Sequence, residues 1–397
     1  MSQIPPVNTY AQSYLSRFQT YQDELLQRLE TLVNIDSGTR QAQGINRIMA
    51  YLQEWLTELG FTVTLHPSEP FGNNLVARRK GKGKARIMLV GHVDTVYEAG
   101  SVEKRPFCIR DGIAYGPGVI DMKSGDLMGI YALRALAEAG FEQYDELCVV
   151  FNNDEEVGSA GSAPLLKAIA KEFSVGLVLE PASTLEQIIN SRKGTNKYIM
   201  QVAGIASHSG SSPTKGRSAV LELAHKIIAI HNLHSLFHNV TFNVTDIRSN
   251  EQLNIIPDKA SCQISVRGYT NQSLDKAAEA LEQIAAGSSV PDTRTTLIRT
   301  RGRPPYTSTP ALKRLEEMVV AEGQALGLKL VLEPRGGVSD ANLLMGAGVP
   351  TLDSLGPVGG NLHNLQKEYL QIDTLPIRGS MLAGLLQHIC LSNLTGA

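Results

Sequence analysis

Apolar residues Leu15, Phe18, Leu25, Leu29, Leu32 and Val33 recur at helical spacing, which predicts an amphipathic helix over residues 14–35. A second helical pattern covers about 44–59 and stops at Gly60, a residue type that commonly ends helices. Short strand-like runs follow at 61–65, 74–78 and 85–90. The last is nearly all apolar, as in a strand buried on both faces. Helix 126–139 ends at Gly140, and strand 146–151, helix 163–172 and strand 175–179 succeed it. Strands alternating with helices predict an α/β fold with an open, mostly parallel sheet and helices on both faces.

Past about Arg192 the rhythm changes. Strand 197–202, helix 218–233, strands 240–245 and 260–266, helix 273–286 and strand 294–299 spell β-α-β-β-α-β, the ferredoxin-like order. From about Pro305 the first rhythm returns: helix 310–326, strand 329–332, helix 339–345, strand 351–355 and a final helix over 375–394. The expected organisation is a discontinuous catalytic domain, 1–192 and 305–397, around an inserted lid or dimerisation domain, 193–304. A chain of 397 residues is long enough for two cores.

Composition narrows the class. With 42% apolar and 19% charged residues the chain is an ordinary globular protein, and a net charge of −2 does not steer it toward nucleic acid or an anionic membrane. No run of about 18 apolar residues reads as a membrane span. Residues 1–17 are polar and lack the charged-then-apolar order of a secretory signal, so the expected location is the cytoplasm. Cys108, Cys148, Cys262 and Cys390 are widely spaced and form no C-x-x-C pair, which reads as reduced thiols. Any metal must then be held by nitrogen and oxygen.

Candidate chemistry gathers after the buried strands, where open α/β sheets bind their ligands. The run ending at Val90 leads into Gly91-His92-Val93-Asp94-Thr95. The run ending at Phe151 leads into Asn152-Asn153-Asp154-Glu155-Glu156, and the run ending at Leu179 leads into Glu180. A glycine-rich stretch, Gly116-Pro117-Gly118-Val119-Ile120, ends in Asp121, and the run ending at Leu355 leads to His363. Taken singly, each has an ordinary explanation: a turn histidine, acids at a helix start, a helix N-cap at Asp121. Together they direct two imidazoles and several carboxylates to one sheet edge. That is more than one catalytic zinc needs, and it suits two metals sharing a carboxylate, with one acid left over as a base.

Five motifs carry a resemblance over nearly the whole chain. They are G-H-V-D-T-V at 91–96, G-P-G-V-I-D-M-K-S-G at 116–125, N-N-D-E-E-V-G-S at 152–159, L-E-P at 179–181, and Gly356 to His363 followed by Glu368-Tyr369. In this order they resemble the di-zinc metallopeptidases that include glutamate carboxypeptidase (carboxypeptidase G), aminoacylase, acetylornithine deacetylase and succinyl-diaminopimelate desuccinylase. The resemblance implies two Zn2+ per chain, with Co2+ or Mn2+ as substitutes. His92 and Glu180 would hold one ion, Glu156 and His363 the other, and Asp121 both, ahead of a peptide bond that is often cis in the family. Glu155 would be the general base and later the acid, and Asp94 would orient His92.

The inserted domain adds residues that match family positions for substrate: His208 in Ala206-Ser207-His208-Ser209-Gly210, Asn254 in Asn254-Ile255-Ile256-Pro257, and Arg267. The stretch Arg301-Gly302-Arg303-Pro304-Pro305 resembles the glutamate carboxypeptidase branch, where Arg303 would grip a free carboxylate in a bidentate pair. The implied activity is release of a C-terminal amino acid, with glutamate the candidate, from a peptide or N-acyl substrate. The alternatives are an N-acyl-amino-acid deacylase of the acetylornithine or desuccinylase type, and a metal-binding paralogue without turnover. Gly336-Gly337-Val338-Ser339-Asp340 matches a loop that closes the site in the family; on its own it reads as a turn or a helix start. Partner expectations are a small substrate, neither nucleic acid nor membrane, and a homodimer through the inserted domain.

Overall fold

The computed structural model describes residues 8–250 and 252–392. The readings for residues 1–7 and for the last two positions of the expected final helix, 393 and 394, lie outside the described residues. The chain forms two compact units. The larger takes residues up to Asn190, Ser308–Pro334 and Ser339 onward; the smaller takes Ser191–Thr307 and Arg335–Val338. The return of Arg335–Val338 to the smaller unit has no counterpart in the hydrophobic pattern.

The larger unit is built on a six-stranded sheet in the order Thr62–Ser68, Gly72–Lys80, Glu146–Asn152, Arg86–His92, Val175–Val178, Thr351–Leu352. The last four strands run parallel to one another, and the first two pair antiparallel at one side. Glu146–Asn152 is buried at every position and Arg86–His92 at all but the first, because helices cover both faces of a mostly parallel sheet.

Helix Ala11–Val33 buries Ala11, Tyr14, Phe18, Tyr21, Leu25, Leu29 and Leu32, one stripe at intervals of three and four. It packs on Thr374–Leu391 and Ser124–Glu138. Each fully buried leucine of that stripe stabilises by roughly 1.5–3 kcal/mol. Buried Glu322 fastens the helix start, accepting hydrogen bonds from the Tyr10 and Ala11 amides at 2.9 and 2.7 Å, and it lies 2.8 Å from His388 Nδ1. A carboxylate there also complements the helix dipole.

Two features escape the periodicity. The strand expected at 329–332 forms as Val331–Arg335 and pairs with Gln187–Arg192, which carries no strand signal of its own. Four short strands, Cys108–Arg110, Ile113–Tyr115, Gly359–Gly360 and Tyr369–Gln371, make a further sheet. Runs of two and three residues are too short to show a period of two. Their consequence is large, because Tyr369–Gln371 pairs with Ile113–Tyr115 and so lays the segment carrying His363 beside the Gly116–Asp121 loop.

The smaller unit has the βαββαβ order. Its antiparallel sheet runs Thr241–Ser249, Lys259–Gly268, Gly194–Ala203, Arg294–Arg303. Helices Ala219–Asn232 and Asn271–Ala286 cover one face, and Tyr198, Met200, Val202, Leu223, Ile264, Val266, Leu274 and Leu281 form the core between. Both helices start on side-chain caps: Ser218 accepts from the Leu221 amide, and Thr270 forms a reciprocal cap with Ser273.

One close approach sets the level of the sheet beneath the site. A Cβ on Gly125, in the first turn of Ser124–Glu138, would lie 2.2 Å from the Leu179 carbonyl oxygen. Gly125→Ala therefore pushes the helix off the chain that leads to Glu180. Overpacking of this kind costs about 1–3 kcal/mol, so a lower thermal midpoint is expected in a calorimetric melt, and an unchanged melt would count against the contact.

Candidate metal centre

Sheet register delivers the first residues. His92 pairs in register with Asn152, and Val90 with Val178. His92 therefore stands level with the second residue after Val178, which is Glu180, and Glu155 and Glu156 follow three and four residues beyond Asn152. The chain after Thr351–Leu352 passes close to this edge, with the Gly356 amide donating to the Glu180 carbonyl at 2.9 Å. Its continuation brings in His363, which has a left-handed backbone at φ 63°. The glycine-rich loop supplies Asp121, and the Asp121–Met122 peptide bond is cis.

The side chains converge on Asp121. One carboxylate oxygen, Oδ1, lies 3.3 Å from His92 Nε2, and the other, Oδ2, lies 3.2 Å from His363 Nε2. His92 Nε2 is 3.8 Å from Glu180 Oε1, and His363 Nε2 is 3.2 Å from Glu156 Oε2. Two groups have ligand atoms within 4.8 Å of one another: His92, Glu155 and Glu180, and Asp121, Glu156 and His363. Glu155 thus stands with the first trio rather than apart from the donors.

Three buried carboxylates hold this geometry. Asp94 accepts from the Glu155 and Glu156 amides at 3.0 and 3.2 Å and from Thr39 Oγ1 at 2.7 Å. Its link to His92 runs first through its backbone carbonyl, 3.0 Å from Nδ1, with the carboxylate at 3.4 Å. Glu368 accepts from the amides of Gly118, Ile120 and Asp121 at 3.1, 3.1 and 3.2 Å and from the Tyr97 hydroxyl, and so clamps the loop that presents Asp121. Asp340 accepts from Asn152 Nδ2 and Ser159 Oγ, on either side of the Glu155-Glu156 pair. The sequence marks Glu368 only as a neighbour of the last motif, and Asp340 only as part of a loop. A buried acid facing several amide donors is a tertiary feature, and no local spacing announces it.

Electrostatics show what the cluster lacks. Burial would lower the His92 pKa, but Asp121 and Asp94 outweigh it and hold the imidazole well above its ordinary value. His363 is pushed up to about 10, chiefly by its hydrogen bonds to Asp121 and Glu156. Burial would raise Asp121, yet the two imidazoles hold its carboxyl below the usual range. Glu180 is driven up by burial and then by repulsion from Asp121, and burial also raises Glu156. Four largely buried acids facing one buried imidazole, His92, and one exposed imidazole, His363, are short of positive charge, and imidazole nitrogen with carboxylate oxygen is the donor set that zinc and similar divalent ions take. The residues therefore fit a metal.

The substrate candidates all belong to the smaller unit. His208 lies in strand Ser207–His208, paired with Ile255–Ile256, and its Nδ1 accepts from the Gly210 and Ser211 amides at 3.1 Å each. The Ser209 amide donates to the Asn254 carbonyl at 2.9 Å, so His208 and Asn254 share one loop cluster. Arg267 and Arg303 flank Thr195 in register on the sheet face opposite the helices. Lys197 and Arg301 are paired on the same face. Burial lowers the Lys197 pKa, and Arg301, Arg267 and Arg303 add to it. Lys197 and Arg301 are thus part of a cationic cluster that the sequence reading did not assemble. The period-2 alternation of the strand was the signal that could have found them.

Comparison with known proteins agrees with this chemistry. The model of peptidase family M20/M25/M40 matches residues 88–388. Carboxypeptidase G2 of Pseudomonas sp. (strain RS-16) is 35% identical over 379 residues, covering 94% of this chain and 91% of that protein. Succinyl-diaminopimelate desuccinylase of Dechloromonas aromatica is 25% identical, covering 92% and 99%. In fold, the chain is similar to a tripeptidase from Staphylococcus aureus, with a TM-score of 0.77 at 20% identity over 94% of this chain and 99% of that one.

Two outcomes follow from the site. Glu368→Gln puts an amide donor where a carboxylate oxygen meets an N–H, and metal affinity should fall about 10- to 100-fold in competition with a chromophoric chelator. Unchanged affinity would mean that the loop holds itself. Stripping divalent metal should abolish turnover and lower the thermal midpoint, and re-adding ion at about 1,000 times Kd should restore about 4 kcal/mol. A melt insensitive to metal would exclude a tight site.

Proposed function

The chain belongs to peptidase family M20/M25/M40 and is a metal-dependent amide hydrolase; from that premise we propose that it holds two zinc ions and releases a C-terminal amino acid from a peptide or N-acyl substrate. The observation that carries the two-ion reading is Asp121, whose two oxygens each face a different imidazole. In this reading His92 and Glu180 would hold one ion, Glu156 and His363 the other, and Asp121 would serve both. When bound, the ions supply Lewis acidity toward the scissile carbonyl and the attacking water.

The chain's own residues do the rest. Glu155 takes a proton from the attacking water on a carboxylate oxygen and returns it to the leaving amine nitrogen. Asp94 fixes where Glu155 points by accepting its amide and that of Glu156. Arg303, with Arg267, binds the free carboxylate of the departing amino acid. The cationic cluster with Lys197 and Arg301 supports this, because it sets several guanidinium and ammonium donors for a carboxylate on one sheet face. Glutamate, with a second carboxylate, is the candidate side chain. His208 and Asn254 complete the reading as groups that bind the substrate around its carbonyl.

A deacylase reading is favoured by one observation, the near full-length likeness to a desuccinylase. N-acyl-glutamates, dipeptides and acetylornithine, assayed with zinc present, separate the two. The chain is further proposed to act in the cytoplasm and to pair as a homodimer through the smaller unit, whose sheet ends on the edge strand Thr241–Ser249. Among the described residues no helix is long and apolar enough to cross a membrane. Sedimentation at one protein concentration series tests the dimer, and a monomer throughout would reject it.

Glu155→Gln should keep two ions per chain by metal analysis while turnover drops about 10²- to 10⁴-fold. Loss of an ion together with turnover would instead make Glu155 a ligand, as its place beside His92 and Glu180 allows.

A further inference from the structure

The larger unit carries a cavity of about 360 Å³ beside the metal centre. Glu156 and Glu98 form part of its wall, together with Val96, Tyr97, Val157 and Arg40. The volume falls in the range of small-molecule pockets, about 300–1,000 Å³. Val96 and Val157 are exposed, at 42% and 36%, although each adjoins the buried site, so the cavity offers apolar wall next to the reacting centre.

This wall is built rather than incidental. Residues 37–41 are stitched to the chain after His92: the Thr95 amide donates to the Ser37 carbonyl at 2.9 Å, and the Thr39 amide to the Thr95 carbonyl at 3.1 Å. Gln41 Nε2 donates to the Tyr97 carbonyl at 3.2 Å. A Cβ on Gly38 would lie 2.0 Å from that same carbonyl oxygen, so only glycine permits the approach. Thr39 Oγ1 reaches Asp94, the acid that also holds the amides of Glu155 and Glu156. The segment presenting Arg40 is therefore tied directly to the catalytic loop.

Arg40 stands out in that frame. It is exposed, and among the described residues its guanidinium makes no ion pair and no side-chain hydrogen bond. The nearby carboxylate of Asp36 is already committed, accepting from the Gly100 and Val102 amides at 2.7 and 3.0 Å. Arg40 and Gln41 also line a second cavity of about 640 Å³, together with Asp36, Arg47 and Glu103.

We propose that this cavity is the subsite for the acyl side of the substrate, and that Arg40 selects acyl groups carrying an anion at their far end, such as dicarboxylic acyl chains or an acidic residue. The proposal rests on the amide-hydrolase reading above. There Glu155 acts at the scissile amide, and the wall shared with its neighbour Glu156 is within reach of the acyl group beside that bond. Val96, Val157 and the Tyr97 ring pack the methylenes, and the guanidinium pairs with the terminal carboxylate.

The test uses the full-length zinc-loaded protein and one amino acid, glutamate, acylated in three ways: acetyl, succinyl, and the monomethyl ester of succinyl. Wild type should favour succinyl over its neutral ester by about 10- to 100-fold in kcat/KM. In Arg40→Ala that ratio should collapse toward one, and in Arg40→Glu it should invert. Because each ratio is taken within one protein sample, partial misfolding cancels. A wild type without preference, or a preference that survives Arg40→Ala, would overturn the subsite. If none of the three is turned over with zinc bound, while a peptide or other N-acyl amino acid is, the acyl assignment fails alone. If no amide substrate is turned over at all, the functional reading fails with it.

Discussion

Asp121 faces two imidazoles at once, one with each carboxylate oxygen, inside a space that also holds Glu155, Glu156 and Glu180. Packing that many acids together out of water is costly unless positive charge meets them. The imidazoles meet part of it, and the surrounding carboxylates raise the pKa of both. The remaining imbalance is what a divalent ion relieves. Much of the larger unit makes sense as the apparatus that holds this unstable arrangement still.

That apparatus works through backbone amides and a few side-chain donors. Glu368 takes three of them around Asp121, Asp94 takes those of Glu155 and Glu156, and Asp340 secures Asn152 and Ser159 on either side. Each clamp is a buried carboxylate whose oxygens meet several donors, so it is satisfied without a metal of its own. The donors and the clamps thus divide one residue type between two tasks. Acids met by donors organise the loops, and acids met by imidazole are left facing one another at the centre.

The smaller unit poses the opposite electrostatic problem. Its helix-free sheet face gathers Lys197, Arg267, Arg301 and Arg303, and the lowered Lys197 pKa records their mutual repulsion on top of burial. The relatives range from a carboxypeptidase to a desuccinylase, and one fold hosts different specificities through the residues placed around its centre.

The alternation of strands and helices, the βαββαβ insertion and the five motifs were legible in the sequence, because burial on one face imposes a period of 3.6 or 2 that survives in any linear reading. His92, Asp121, Glu155, Glu156, Glu180 and His363 could be singled out for the same reason, since each lies at a strand end or in a glycine-rich loop. Only the tertiary structure decided the rest. It decided that Glu155 stands with His92 and Glu180, that Glu368 clamps the Asp121 loop across some 250 residues of chain, and that the short strands at Ile113–Tyr115 and Tyr369–Gln371 bring His363 in. It also decided that Lys197 and Arg301 join Arg267 and Arg303, and that Arg40 looks onto a cavity shared with Glu156. These are pairings between distant segments, where contact depends on register and on the path of irregular loops, and neither leaves a periodic trace in the chain.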